Sequence, residues 1–379
     1  MRYASGNKIK KNTAAFGRIT HAFKNFGSTE VVALKRGLEI DAMSKTILVT
    51  GPDLAASAKK LVADRGYETV HTPAYADSDT ISALLKETGA MGIVSRMGRL
   101  DARVMDAGPQ LRVISKHGVG VDNIDLTAAA ERGIPVLVAT GANAVSVAEH
   151  AIALLLTVVK RILPLDAGLR AGRWEKPGFS GRELAGATFA LLGMGSIAQA
   201  TVQIAKGLGL KLVGYDPYAK HETFEKLGVR RCMSIDEFFE SAEILSLHCP
   251  LNEQTRKIVN AETIEKMPRG SYVINTARGG LIDESALLSA VKSGHLAGAG
   301  LDSFATEPPT PDYLFWDEPR IVVTPHIGGV TGEANARVGV AAVSGIIKVL
   351  EGKPIEFEMI ANRALLADAA VRIAKGVEG

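Results

Sequence analysis

The sequence predicts an α/β protein with two domains built on parallel sheets, and three observations carry that prediction. Short apolar runs bounded by Gly, Pro or Ser alternate with amphipathic stretches from residue 46 onward. The chain has 379 residues, 46% of them apolar, which suits two cores rather than one or four. A second β/α series begins at "TFALLG" after a polar break, so the alternation comes in two blocks. With aromatics at only 5%, the cores must be built largely from Ala, Val, Leu and Ile.

The first 42 residues stand apart. They are basic and without sustained periodicity, and residues 1–30 hold Glu30 as their one acidic residue. A transit-type peptide is one reading and an unstructured extension over 1–43 the other; the second is favoured. Met43, directly before "SKTILVTG", marks a natural start for the globular part.

From there "TILVTG", "ETVHTP", "GIVSR", "LRVISKHG" and "IPVLVATG" read as buried parallel strands. Between them "AASAKKLVADRG" and "DTISALLKETG" have helical spacing and stop at glycine. Together they make one βα-repeating unit over about 44–142. A long apolar helix is expected at 144–163, followed by a polar stretch with Gly172, Trp174, Pro177 and Gly178. The second series runs through "TFALLG", "KLVGYD", "EILSLHC", "SYVINTA", "GAGLDSF" and "RIVVTP". Its helix at 283–294 shows both ends: Asp283 can cap it, Ala286, Leu287, Ala290 and Val291 line one face, and Gly294 ends it. A tail helix near 333–351 must pack somewhere; returning to the first unit would make that domain discontinuous.

Composition also removes several functions. The net charge is +3, with no long Lys/Arg stripe interleaved with aromatics, so nucleic-acid binding gains no support. The longest apolar helical run, "AIALLLTVV", is too short to span a bilayer. Two cysteines, Cys232 and Cys249, without CxxC or His-x-x-His spacing, argue against disulfides and metal and for a reducing cytoplasm.

The most informative stretch is "LLGMGSIAQA", where Gly193-x-Gly195-x-x-Ala198 follows a strand and opens a helix. Gly193 permits the tight turn, and Gly195 lets backbone approach a pyrophosphate held by the helix N-terminus. Ala198 stands where glycine is usual and is small enough for close packing. The next strand ends at Asp216, eighteen residues after Ala198, where an acid would bind ribose hydroxyls and repel a 2′-phosphate. That favours NAD over NADP. A surface aspartate before Pro217 is the plain alternative, and it is poor beside the glycines.

Three polar residues follow later strands: Arg278 after "VINTA", Glu307 after "LDSFAT" and His326 after "IVVTP". Each alone reads as a surface or turn residue. Jointly they suit redox chemistry on a 2-oxo or 2-hydroxy acid. Arginine clamps a carboxylate and polarises the neighbouring carbonyl, histidine moves the proton, and glutamate favours its imidazolium form.

At this point the chain resembles the NAD-dependent D-isomer 2-hydroxyacid dehydrogenases, over about residues 44–362. The motifs are "LLGMGSIA", "LHCPLNEQT", "INTARGGLIDESAL", "GAGLDSFATEPP" and "VTPHIGG", with "HGVGVDNID" and "SVAEHAIALLL". The resemblance implies two Rossmann-like, doubly wound domains with a cleft between them that closes on substrate. The substrate domain would be 44–142 plus 331–379, and the NAD domain 143–330. It assigns Arg278 to substrate binding, Glu307 to tuning the histidine and His326 to acid/base catalysis. It also implies Ser196 and Ile197 as backbone pyrophosphate contacts and Asp302 at the nicotinamide carboxamide. Val147, Pro250, Thr255 and Thr276 would line the cofactor, and Val119 and Gly120 would offer N–H groups to the substrate carboxylate. A glycine-rich turn can form such an anion nest, although a plain tight turn is the alternative.

The helix "VAEHAIALLL" resembles the family's dimer contact and implies a homodimer. The substrate stays open among hydroxypyruvate, glyoxylate and 3-phosphoglycerate types. Arg96, with Ser95 and Lys116, lies near the expected substrate loops and bears on whether a phosphate is accepted. His117, His150 and His248 have no paired acid at motif spacing and read as structural or peripheral. The competing function is a non-catalytic NAD-sensing module or corepressor of the same fold, which the full Arg/Glu/His set disfavours.

Overall fold

A computed structural model describes residues 45–374; the expected extension at 1–43 lies outside them. The described residues fall into two compact units. One runs up to Ala142 and resumes at Gly332, and the other is Asn143–Thr331.

In the first unit β1 (Thr46–Thr50), α1 (Ala56–Asp64), β2 (Glu68–His71) and α2 (Ser78–Thr88) are followed by β3 (Gly92–Ser95) and α3 (Ala102–Ala107). Then come β4 (Val113–Lys116), α4 (Leu126–Glu131) and β5 (Val136–Val138). The five strands are parallel in the order β2-β1-β3-β4-β5. Alternation decides the faces: Leu48 of β1 joins one apolar cluster, while Ile47 and Val49 join the other. Helix starts follow the side chains available, with Asp77, Asp101 and Asp125 each accepting a backbone N–H as N-cap.

The second unit opens with α5 (Ala144–Val159) and α6 (Ile162–Arg170). The sequence periodicity runs through to 163 as one helix, but the structure breaks it at Arg161, which sits at φ 53°. Pro164, three residues on, marks that break: it has no N–H to donate to the Lys160 carbonyl, so the first helix cannot run through it. There follow β6 (Thr188–Leu192), α7 (Ser196–Gly207), β7 (Lys211–Tyr215), α8 (His221–Leu227), β8 (Arg230–Arg231) and α9 (Ile235–Ser241). The series continues with β9 (Ile244–Leu247), α10 (Ala261–Lys266), β10 (Ser271–Asn275), α11 (Glu284–Lys292), β11 (Leu296–Leu301) and β12 (Ile321–Val323). All are parallel, in the order β12-β11-β10-β9-β6-β7-β8. The order reverses between β6 and β9, the switch point where open α/β sheets bind ligands.

As on β1, alternate residues of β6 go to opposite faces: Phe189 and Leu191 to one cluster, Ala190 and Leu192 to the other. Phe189 is 1% exposed. Replacing it with Ala should cost about 3–5 kcal/mol. Denaturant unfolding of the variant reads this directly, and a loss under about 1 kcal/mol would contradict the packing described.

After Thr331 the chain returns to the first unit. Helix α12 (Gly332–Leu350) packs on α1 and β4, and Ala342, Val343, Ile346 and Ile347 join the cluster of Ile47 and Val113. Helix α13 (Arg363–Ala374) follows and packs on α4.

Candidate active site

Because the seven strands of the second unit are parallel, their carboxyl ends share one edge of the sheet. Gly193 follows β6, Pro250 follows β9, Thr276 and Arg278 follow β10, Asp302 and Glu307 follow β11, and His326 follows β12. The last three strands are direct neighbours, so Arg278, Asp302 and His326 leave the sheet within about 10 Å of one another laterally.

At the switch point Gly193 has φ 93°, and a Cβ there would lie 2.9 Å from the His248 and Cys249 backbone. Any other residue would be both strained and crowded. Gly195 is the N-cap of α7, with no side-chain cap bond. The first-turn N–H groups, including those of Ser196 and Ile197, therefore lack a capping side chain. No atom lies within 4 Å of where a Gly195 Cβ would sit, so backbone and dipole are open to an anion.

Asp216 braces this turn. Its Oδ2 accepts from Met194 N–H at 2.9 Å, and its Oδ1 accepts from Tyr218 and Ala219 N–H at 2.9 and 3.1 Å. Pro250 and Thr255 belong to one turn, in which the Thr255 hydroxyl donates to the Pro250 carbonyl at 2.7 Å. Val147 is buried on α5. The buried Thr276 hydroxyl has no hydrogen-bond partner among the described residues. An open glycine cap, a braced acid and an orphaned hydroxyl on the same sheet edge fit a dinucleotide.

His326 and Glu307 are in direct contact. His326 Nδ1 lies 2.7 Å from Glu307 Oε2. Glu307 Oε1 accepts the Phe304 N–H at 3.0 Å, which turns the carboxylate toward the ring. The hydrogen bond to Glu307 raises the His326 pKa above its ordinary value, against the opposing effect of burial, and the Arg278 charge trims the rise. For Glu307, burial pushes upward, but the bonds from His326 and Phe304 outweigh it, and the carboxyl falls below its usual range. With Nδ1 held by Glu307, Nε2 is the ring nitrogen left to meet a ligand.

Arg278 acts electrostatically on both partners. Its backbone is set by Asn275, whose side chain donates to the Arg278 carbonyl and accepts from Ala277 N–H. Gly279 is dictated by contact: a Cβ there would lie 1.9 Å from the Phe304 carbonyl carbon. The Arg278 turn and the Glu307 loop thus touch backbone to backbone.

His326 itself has φ 54°, a left-handed conformation costing about 1–2 kcal/mol for a non-glycine residue. Asp302 supplies the anchor. It is 1% exposed, and its oxygens accept from Thr324 Oγ1 (2.7 Å), Ile327 N–H (2.9 Å) and Gly328 N–H (2.7 Å). This anchoring is not legible in the sequence, where Asp302 is read only toward the cofactor. His150, without a paired acid by motif spacing, has its Nε2 3.3 Å from Asp302 Oδ1.

In the first unit the N–H groups of Val119 and Gly120 donate to no other described residue, as an anion nest requires. Arg96 Nη1 donates to the Pro52 and Asp53 carbonyls at 2.7 and 2.6 Å. Lys116 Nζ donates to Asn123 Oδ1 at 2.7 Å. Both cations are thus engaged within their own unit. His117 and His248 are each held down to about 4, His117 by burial and then the Arg96 charge, His248 by burial. Burial pushes the Cys249 thiol up to about 11, which removes it as a nucleophile. Among the described residues no cluster of His, Cys, Asp or Glu could hold a metal, and no helix is long and apolar enough to cross a membrane.

Fold and site define a two-unit α/β protein whose second unit is a dinucleotide-binding domain. Residues 152–328 match the family model described as D-isomer specific 2-hydroxyacid dehydrogenase, NAD binding domain. The chain is 41% identical over 283 residues to a hydroxypyruvate reductase of Thermotoga maritima, covering 74% of this chain and 90% of that one. It is 38% identical over 263 residues to a D-3-phosphoglycerate dehydrogenase of Archaeoglobus fulgidus, covering 69% of this chain. The chain spans about half of that relative's length, 50%. A crystal structure from Thermus thermophilus superposes with a TM-score of 0.74 at 35% identity, covering 82% of this chain and 100% of that one. The chain belongs to the D-isomer specific 2-hydroxyacid dehydrogenase family, and NAD is the dinucleotide of its second unit.

Proposed function

We propose that this protein catalyses reversible hydride transfer between NAD(H) and C2 of a small D-2-hydroxy or 2-oxo acid. The observation that carries this reading is the 2.7 Å His326–Glu307 contact with Arg278 acting on both. Bound NADH supplies the hydride. Arg278 holds the carboxylate and polarises the C2 carbonyl, and His326 Nε2 gives its proton to the oxygen as C2 is reduced. Glu307 keeps the ring protonated and fixes which nitrogen faces the substrate. In oxidation His326, neutral, takes the hydroxyl proton back.

For the cofactor, the assigned contacts are Gly193, Gly195, Ser196 and Ile197 at the pyrophosphate, Asp216 at the ribose and Asp302 at the carboxamide. Val147, Pro250, Thr255 and Thr276 line the remainder. The substrate contacts are Arg278, Arg96 and the Val119 and Gly120 N–H groups, with 44–142 and 331–379 as the substrate domain. The same reading includes a homodimer formed through α5, and a reducing cytoplasm in keeping with the two free cysteines. The acid stays open among hydroxypyruvate, glyoxylate and 3-phosphoglycerate types, since Arg96 bonds the Pro52 and Asp53 carbonyls through Nη1 alone and Lys116 bonds Asn123.

A panel of 2-oxo acids followed by NADH absorbance tests this. Turnover on at least one short acid is expected; NADH binding with no turnover on any acid would instead favour a sensing module. The ribose assignment has its own check. Asp216→Ala should weaken NAD binding by about tenfold or more, as hydrogen bonds to a charged group contribute about 1.5–3 kcal/mol, and narrow the gap to NADP. An unchanged NAD/NADP ratio would count against it.

A further inference from the structure

We propose that His150 is a positioning residue for the acid/base loop, acting through Thr324 and Asp302. The proposal rests on the reading of His326 given above.

His150 and Ser146 lie one turn apart on the same face of α5, and both reach the segment that carries His326. Ser146 Oγ is 2.8 Å from Thr331 Oγ1, and His150 Nε2 is 2.9 Å from Thr324 Oγ1. The helix therefore grips the 324–331 segment on either side of His326.

Proton counting gives the direction of the His150 contact. A threonine hydroxyl has one proton, and that of Thr324 goes to Asp302 Oδ1 at 2.7 Å. The bond between Thr324 and His150 must then be donated by Nε2–H. The chain reads His150 Nε2–H to Thr324 Oγ1, Thr324 O–H to Asp302 Oδ1, with the Ile327 and Gly328 N–H groups also donating to Asp302. A carboxylate this buried needs every donor it has. The two backbone donors are the residues directly after His326, whose left-handed backbone must be held for the ring to meet Glu307. Without His150 the Thr324 hydroxyl loses the donor that orients it, Asp302 loses its fixed partner, and the loop is freed to relax.

The test compares His150→Leu, which removes the donor, with His150→Gln, whose amide N–H restores one at similar reach. His150→Leu should lower kcat about tenfold while leaving KM for the acid within about twofold, as expected for misplacement rather than lost binding. His150→Gln should recover most of it. Amide hydrogen exchange on peptides spanning 320–331 gives a readout independent of turnover: at least about tenfold faster in His150→Leu, near wild type in His150→Gln. Should His150→Leu not fold, Thr324→Val breaks the same link from the other end and Thr324→Ser restores it. Wild-type protection at 327 and 328 in the Leu and Val variants overturns the proposal, and so does equal impairment of the Leu and Gln variants. Absence of turnover by the wild type on every acid would sink the functional reading, while the exchange measurement would still decide this one.

Discussion

His326→Ala should lower turnover by about 10²–10⁴, the usual contribution of a positioned general acid–base group, with NADH binding little changed. His150 is committed to Thr324, and His117 and His248 are neutral near pH 7, with pKa values about 4. The pH profile makes the assignment sharper. Since Glu307 raises the His326 pKa, the imidazolium persists to higher pH than in a free histidine. Reduction, which consumes that proton, should be fast below the raised pKa and fall as pH rises through it. Oxidation, which needs the neutral ring, should fall as pH drops through the same value. Glu307→Gln removes the largest raising contribution, so both limbs should move to lower pH together. Limbs that stay in place in Glu307→Gln, or near-normal turnover in His326→Ala, would remove His326 from the mechanism.

Much of this arrangement is legible in the sequence itself, and for identifiable reasons. Buried parallel strands leave short, mostly apolar runs buried on both faces, such as "ILSL" and "SYVIN", which stop where the chain reaches the sheet edge. Functional residues placed just after those stops can be read directly, which is how Arg278, Glu307 and His326 emerge from "VINTA", "LDSFAT" and "IVVTP". The capped helix at Asp283 is equally local, and its Ala286 N–H meets that side chain at 3.2 Å. What stays hidden has no local signature. Strand β8 is two arginines with no pattern to detect. The linkage of His150 to Asp302 joins residues far apart in the chain and depends on where α5 lies against the sheet. A spacing rule sees neighbours in sequence, whereas these contacts are made by packing.

The second large effect is expected at Gly279, where the requirement is purely steric. An alanine Cβ would fall 1.9 Å from the Phe304 carbonyl carbon, 2.2 Å from its oxygen and 2.3 Å from Ala305 N. These are backbone atoms and cannot rotate away, so the 303–307 segment must move as a whole. Overpacking costs typically about 1–3 kcal/mol, and a backbone obstacle places Gly279→Ala at the upper end of that range or beyond. The chemical consequence is larger. Phe304 N–H holds Glu307 Oε1, so displacing Phe304 carries the carboxylate away from His326. A shift of about 1 Å in a positioned group can cost about 10²-fold in rate. Gly280 provides the control one residue on. The three atoms nearest a Cβ there all belong to the Leu251 side chain, the first at 2.8 Å, and a leucine terminus can turn aside. Gly280→Ala should therefore keep turnover within about fivefold and leave the pH limbs in place. Gly279→Ala should lose about 10²-fold and shift the limbs downward as His326 loses its partner. Equal behaviour of the two variants would mean that the backbone contact between the Arg278 turn and the Glu307 loop does not set the acid/base geometry.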